Sequence, residues 1–401
     1  MALTKLNTYS LADDAITSAK IADDAITSAL IADNAVVTAA IADDAVTSAK
    51  TTVTSTNPNL IINGDMAIAQ RGTSSTSTGI KTVDRWNALW TGGGITQSQV
   101  ALTSGGAYDE GHRHAFKMAV TSVNSANNRY AQMRYIPEAK DIRNFGWQYT
   151  SGSSYITVSF WAKSSLAGTY FFSMYGPDSG TAQIYSTSYA LAADTWTKVT
   201  KTIPGGSNIV LNDDTGVGFY IDIRLDLGTD YTASDATINA WNDRVASDAK
   251  TTTDFAQSWF NTGSATFEVT GVKLEVGQSA TTFEKLDYTA EFQRCQRYYW
   301  TIRGDEGQDY SNNYGFLVQW SSSRFSGWNP SWTQNFPVEM RAIPTTTIVG
   351  TWATSNAGTP GLGGYKSKMT AIILLSGTTE TSGTYMHFNS TDDAITFDAE
   401  L

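Results

Sequence analysis

Tyr155-Ile-Thr-Val-Ser-Phe-Trp-Ala-Lys-Ser164 is the stretch on which the fold turns. Ile156, Val158 and Phe160 fall on one face of an extended chain, and Thr157, Ser159 and Trp161 on the other. A two-residue period marks a half-buried strand rather than a helix. Similar runs recur at residues 60–62, 169–175, 195–203, 217–225 and 266–276, with Gly and Ser punctuating the chain between them. Helical periods are scarce, the best lying at residues 236–248 and 289–299. Many strands joined by such turns predict an antiparallel sandwich or jelly roll.

Composition narrows the function. The chain has 401 residues, 41% of them apolar, enough for two or three domains and too apolar for a disordered tail. Charged residues make up 16%, against about 25% in an average globular chain. Lys plus Arg is 27 and Asp plus Glu is 38, so the net charge is −11. With no basic cluster, nucleic acid is not an expected partner. The single cysteine, Cys295, excludes an intrachain disulfide and a cysteine zinc site. The longest apolar runs, such as residues 371–375, fall far short of the roughly 18 residues needed to cross a bilayer, so membrane insertion is not expected. The N-terminus lacks the charged, apolar, small-residue order of a signal peptide.

Residues 11–50 are four decads: LADDAITSAK, IADDAITSAL, IADNAVVTAA and IADDAVTSAK. Ten residues of straight helix stop about 80° short of a whole number of turns, so an apolar stripe would spiral off its face. Strand alternation fails as well, because Ala22, Ala25, Ile26 and Ala29 do not alternate. The pattern fits a broken unit: Asp23 or Asp24 caps a short helical turn over residues 25–30, then the chain kinks and repeats. One copy of such a segment buries too little to offset its ordering entropy. Ile21, Ile26, Ile31, Val36 and Ile41 are therefore expected on the axis of a homotrimeric stalk. Seven Asp against two Lys in the decads give that stalk an acidic exterior. The alternative is a flexible linker.

Several motifs, in order, resemble bacteriophage tail fibres and adhesins. Asn59-Leu-Ile-Ile-Asn-Gly-Asp-Met66, Gln70-Arg-Gly-Thr73 and Val83-Asp-Arg-Trp86 are similar to the opening of a module common in these fibres. Val272-Lys-Leu-Glu-Val-Gly277 and Ala280-Thr-Thr-Phe-Glu284 are similar to its close. The stretch 155–164 and Asp194-Thr-Trp-Thr-Lys-Val199 resemble strands of jelly-roll carbohydrate-binding modules, and the decads resemble stalk repeats. Gln293-Arg-Cys-Gln-Arg-Tyr-Tyr299 and Phe336-Pro-Val-Glu-Met-Arg-Ala-Ile-Pro344 are similar to a C-terminal module of the same fibres. The resemblance implies a virion tail protein that docks through its N-terminus on a tail tube, nozzle or baseplate protein and recognises a host surface glycan. It also implies a structural Ca²⁺ site in which Asp65 is one ligand. The matching late positions here are Thr270 and Gly271 in place of an acidic pair, so no metal or other cofactor is expected.

The expected organisation is mostly β. An attachment peptide (1–10), a trimeric stalk with short helical turns (11–50) and a linker (51–58) precede a jelly-roll β-sandwich (59–285) and a second, smaller β-sandwich (286–401). In the last of these, Thr289 is the expected cap of a helix carrying Phe292, Cys295 and Tyr299 on one face. Strands are expected at 315–320, 345–350, 368–375 and 385–388, with turns at 358–364 and 377–383. Tyr310, Tyr314, Trp328, Asn329 and Trp332 lie in a stretch of rings among Ser, Asn and Gly. Sugar CH faces stack on rings and amides bond hydroxyls, so Trp328-Asn-Pro-Ser-Trp332 is the glycan-binding candidate.

No catalytic set is assigned. His112 and His114 are too few for a metal centre. Asp213-Asp214 reads as a turn, and Asp305, Glu306 and Asp309 cluster without the context of a glycosidase pair. The alternatives to a binding fibre are a capsule-degrading fibre enzyme and a purely architectural tail decoration.

Overall fold

A computed structural model describes residues 58–244, 250–303, 318–320, 331–355, 360–375, 384–387 and 393–401. The chain divides into two compact units, Met1–Ser55 and Thr56–Leu401, and every described residue belongs to the second. The stalk positions Ile21, Ile26, Ile31, Val36 and Ile41 therefore lie outside the described residues.

The described chain is mostly β. Twelve strands build a sandwich: β1 Ser74–Ser75, β2 Trp86–Trp90, β3 Gly94–Ala101, β4 His114–Ser122, β5 Tyr130–Tyr135, β6 Tyr155–Ser164, β7 Gly168–Gly176, β8 Gln183–Leu191, β9 Thr197–Pro204, β10 Tyr220–Leu227, β11 Trp241–Asp243 and β12 Thr266–Val276. They form two six-stranded sheets, in the orders β1-β3-β4-β12-β6-β9 and β11-β8-β7-β10-β5-β2, with antiparallel neighbours throughout. The alternation of the β6 stretch is realised: Ile156, Val158 and Phe160 are wholly buried. Opposite them, across the sandwich, Phe160 meets Phe172 at 6.3 Å and Tyr189 at 5.4 Å between ring centres. Trp161, on the other face, donates to Glu110 at 3.0 Å.

Residues 60–62 do not form a strand. Their amides go elsewhere: Leu60 N bonds Leu274 O (3.0 Å), Ile61 N bonds the Asn59 side chain (2.9 Å) and Ile62 N bonds the Tyr135 hydroxyl (2.9 Å). Asn59 also donates to Val272 O and accepts from Leu274 N, which ties the opening motif to the closing one. β12 makes this possible by breaking register against β6 between Thr270 and Lys273, where Gly271 has φ 61°. Val272, freed from the ladder, bonds Gly64 O at 2.9 Å. A Cβ on Gly64 would lie 2.1 Å from Val272 O, so this close approach requires glycine. The region 236–244 is likewise not helical; Trp241–Asp243 pairs with β8.

The helix Tyr288–Gln296 is capped by Asp287, whose side chain accepts from Ala290 N, and not by Thr289. Its Cys295 is buried in the core of the first sandwich, together with Tyr298 just beyond it. The remaining described strands form three three-stranded sheets: Tyr299–Arg303, Ala394–Asp398 and Thr345–Val349; Val318–Trp320, Thr384–His387 and Ala353–Ser355; and Ser331–Asn335, Thr370–Leu375 and Pro360–Lys366. The last of these replaces much of the expected turn at 358–364, because Gly361 and Leu362 pair with Leu374 and Ile373. Phe336, Met340, Ile373, Ile395 and Phe397 form a separate small core here.

Candidate functional site

The outward face of the sheet β11-β8-β7-β10-β5-β2 carries the candidate site. In β10, Tyr220-Ile-Asp-Ile-Arg-Leu-Asp226 alternates, so Ile221, Ile223 and Leu225 enter the core while Tyr220, Asp222 and Arg224 face out. Register then lines up residues from distant parts of the chain. Asn87, Arg134, Asp222, Ser173 and Ser186 form one row across five strands. Leu89, Gln132, Arg224 and Phe171 form the next. Tyr220 lies opposite Tyr175.

The side chains in these rows engage one another. Arg134 grips Asp222 through two parallel bonds of 2.7 and 2.9 Å, the forked geometry of a strong pair. Tyr175 and Tyr220 stack with ring centres 5.4 Å apart and planes 13° from parallel. Guanidinium groups sit over both rings, Arg134 over Tyr220 at 4.5 Å and Arg244 over Tyr175 at 4.6 Å. Beside them is a groove of about 240 Å³, lined by Tyr130, Gln132, Arg134, Asp222, Arg224 and Arg244 among others. A loop closes one side: Phe255 packs on Phe171 at 4.9 Å, and Thr251 accepts from Arg224 Nη1 at 2.6 Å.

Arg224 is the unusual member. It is only 8% exposed. Its Nη2 lies 3.9 Å from Asp222, and its Nε has no partner. Burial pulls this guanidinium down to about 10, Asp222 opposes the shift, and Arg134 and Arg244 add to it. For Arg134 burial also works against the charge, but Asp222 outweighs it and the pKa rises. Asn87 Oδ1 is a second polar atom in these rows that is covered and unpartnered. The groove's own lining offers the rings of Tyr130 and Tyr231, forked donors and carboxylate and amide acceptors, the groups that recognise a polyhydroxylated ligand; the stacked Tyr175–Tyr220 pair lies outside that lining and is joined to it through Arg134 and Arg244.

A larger cavity, about 400 Å³, lies between the turn at 58–68 and the helix Tyr288–Gln296. Several of its polar groups are already matched, which makes it the weaker candidate. Asp65 bonds His112 Nδ1, and Lys285 reaches its other oxygen at 2.9 Å. Arg294 pairs with Glu291 at 3.4 Å. The same contacts bear on the Ca²⁺ site that the resemblance implies. One carboxylate already facing an ammonium does not fit an ion that takes six to eight oxygens. Thr270 Oγ1 is buried without a partner, and Gly271 lies against the His112 ring.

Of the expected glycan-binding residues, Tyr310, Tyr314, Trp328 and Asn329 lie outside the described residues. The backbone of Trp332 lies in the strand Ser331–Asn335, opposite Ile373. Asp305, Glu306 and Asp309 also lie outside the described residues. Asp214 accepts from Gly216 N at 2.8 Å, as a turn residue does. His112 and His114 do not converge: His112 is buried against Phe283, while His114 begins β4 opposite Ala101. Among the described residues no three His, Cys, Asp or Glu side chains cluster as metal ligands.

The sequence reading missed Arg134, Tyr175, Tyr220, Asp222, Arg224 and Arg244. One signal was present: polar and charged residues alternating with apolar ones in Tyr220–Leu227 and Tyr130–Tyr135, which marks an outward face carrying Gln132, Arg134, Asp222 and Arg224.

No family model matches the sequence, and no curated protein is similar to it. Among solved structures, the chain is similar to the enzymatically active domain of bacteriophage CBA120 tailspike protein 4, at 11% identity and a TM-score of 0.30, over 55% of this chain and 21% of that one. It is similar to a family 11 carbohydrate-binding module from Clostridium thermocellum, solved with a β-1,3-1,4-mixed-linked tetrasaccharide, at 13% identity and a TM-score of 0.25, over 52% of this chain and 98% of that one. It is also similar to the tripod from the baseplate of bacteriophage Tuc2009, at 14% identity and a TM-score of 0.23, over 57% of this chain and 58% of that one.

Proposed function

We propose that this chain is a carbohydrate-recognising component of a phage tail, a binder and not an enzyme, and that the groove beside Tyr175 and Tyr220 is its sugar site. The observation that carries this reading is the stacked tyrosine pair flanked by the forked Arg134–Asp222 pair on an open sheet face. Rings supply CH–π contact area, and a fixed guanidinium–carboxylate pair presents donors and acceptors whose geometry selects among hydroxyl arrangements. The decads and the ordered fibre motifs supply the tail context.

In this reading residues 1–10 dock on a tail tube, nozzle or baseplate protein, residues 11–50 join three copies, and the ligand is a host surface polysaccharide. Three linked weak sites gain roughly 10²–10⁴ in avidity over one.

Purified protein is tested for competition with phage adsorption and for binding to host polysaccharide. Competition that is lost in Tyr220→Ala supports the reading. Absence of competition favours an architectural part, and release of reducing ends from the polysaccharide favours a fibre enzyme. Retention of competition in Tyr220→Ala but its loss in Trp328→Ala or Trp332→Ala moves the site to the C-terminal module. Light scattering that gives a single-chain mass removes the trimer.

A further inference from the structure

The groove lining is unevenly charged. Among the described residues that line it, Arg134 and Arg224 both approach the one carboxylate, Asp222. Asp226, the next acid along β10, does not redress the balance there. It accepts from Arg129 Nε at 3.2 Å and from Phe260 N at 2.8 Å, so its charge is held elsewhere. Asp222 is already committed to the two Arg134 bonds, which leaves Arg224 with one hydrogen bond and a distant ion contact.

A buried guanidinium has five N–H donors, and leaving them unmatched is costly. Two lysines of the sandwich show the contrast. On the opposite sheet, Lys117 and Lys163 share Glu268 at 3.7 and 3.1 Å. The whole chain carries a net charge of −11, so its general field repels anions. A local cationic floor in such a chain is a feature of the site and not of the background.

We propose that this groove takes an acidic saccharide, and that Arg224 is the residue that answers the sugar's carboxylate. The proposal rests on the groove being a glycan site and adds the class of glycan. A uronic or other carboxylate-bearing residue would sit beside the tyrosine pair with its anion toward Arg224. There its oxygens meet the Arg224 Nη groups, which have only the Thr251 hydroxyl and a 3.9 Å approach to Asp222, and offset the repulsion between Arg224 and Arg134. A neutral sugar can meet the rings and the Arg134–Asp222 pair but leaves Arg224 uncompensated. Sulfated or phosphorylated sugars share the anionic chemistry and can also meet a guanidinium fork, so the probes below separate them from carboxylates.

The test uses the full chain and four probe sets. These are oligogalacturonate, alginate and hyaluronan oligosaccharides; the same oligosaccharides after carboxyl reduction to neutral sugars; sulfated oligosaccharides of similar length; and neutral gluco- and manno-oligosaccharides. Calorimetric titration is expected to show binding to at least one carboxylate probe and binding about ten- to hundredfold weaker to its reduced form, the range of one charge-assisted bond. Arg224→Gln is expected to bring the carboxylate probe down to the reduced level, and the reduced probe itself should change little. If Arg224→Gln does not fold, the wild-type comparison of native and reduced probes decides. Equal affinity for native and reduced probes, or binding confined to neutral probes, overturns the acidic preference and leaves the glycan site standing. Tighter binding to sulfated than to carboxylate probes overturns the carboxylate assignment. A folded Arg224→Gln that keeps full preference overturns the role of that residue. No binding to any probe overturns both the preference and the glycan site beneath it.

Discussion

The guanidinium of Arg85 lies 3.5 Å from the centre of the Tyr298 ring and pairs with the Glu400 carboxylate. It also donates to Ile136 O. Arg85 holds this place from a left-handed backbone, φ 72°, which is uncommon for any residue but glycine and persists only where the surroundings fix it. The joint between the two modules is built around it. Arg71 lies 3.6 Å over Tyr299, Arg297 and Tyr298 both donate to Glu138, and Arg341 donates to Ala399 O and Glu400 O. From the motifs at 293–299 and 336–344, Arg297, Tyr298, Tyr299 and Arg341 are parts of this joint.

Glu400→Gln leaves Arg85 buried without its counter-charge and is expected to destabilise the fold by about 3 kcal/mol. Asp398, whose own side chain is 45% exposed, meets Arg71 at 3.2 Å, and Asp398→Asn is expected to cost under about 1 kcal/mol. Urea unfolding of the two variants checks the contrast. Equal effects would show that Glu400 is not the anchor.

Asp84 gives the joint a pH dependence. Burial pushes its carboxyl from 3.8 up to about 6, with Arg71 and Gln70 pulling the other way. The folded chain therefore keeps this proton at pH 5, where the unfolded chain has released most of it. The associated stability is fully present below about pH 4 and is lost as pH rises through about 6, an effect on the order of 2–3 kcal/mol. Between pH 4 and 7 the wild type should lose more stability than Asp84→Asn. Parallel pH profiles for the two proteins would refute the shift.

Lys273 and Glu275 explain the closing motif. Both side chains are fully buried, 3.2 Å apart, and they hold the following segment: Lys273 donates to Thr281 Oγ1 and Thr282 O, and Glu275 accepts from Thr281 N and Oγ1. Lys273→Met is expected to cost about 3–5 kcal/mol by stranding Glu275. Lys273→Met with Glu275→Leu should recover part of that loss. A double variant no better than the sum of its singles would argue against direct coupling.

Tyr175 and Tyr220 are both half-buried, so truncating either is expected to cost about 1 kcal/mol for the lost stacking while the fold stays intact. Each of Tyr175→Ala and Tyr220→Ala is expected to weaken glycan binding about tenfold, or ~1.4 kcal/mol. Binding isotherms alongside melting curves separate a lost contact from a lost fold.

How far the sequence could be read follows from the range of the interactions concerned. Alternation in Tyr155–Ser164 announced a strand with Ile156, Val158 and Phe160 inside, because side-chain direction in a strand is a local property. Residues 60–62 looked equally strand-like, yet Asn59 takes the ladder positions for itself and fastens the turn to β12, 213 residues away. Asp287 displaced Thr289 as the helix cap by the two-residue margin at which helix ends are commonly misplaced.

The amino-acid order alone determined the β class and the central strand with its buried face. Periodicity, turn chemistry and composition act over a few residues and need no partner. Tertiary structure alone decided the groove. Arg134, Asp222 and Tyr175 come from three strands, and only the register of β5 and β7 against β10 sets a fork beside a stacked ring pair. Register is fixed by how two whole sheets bury their inner faces against each other, so no local stretch of sequence contains it.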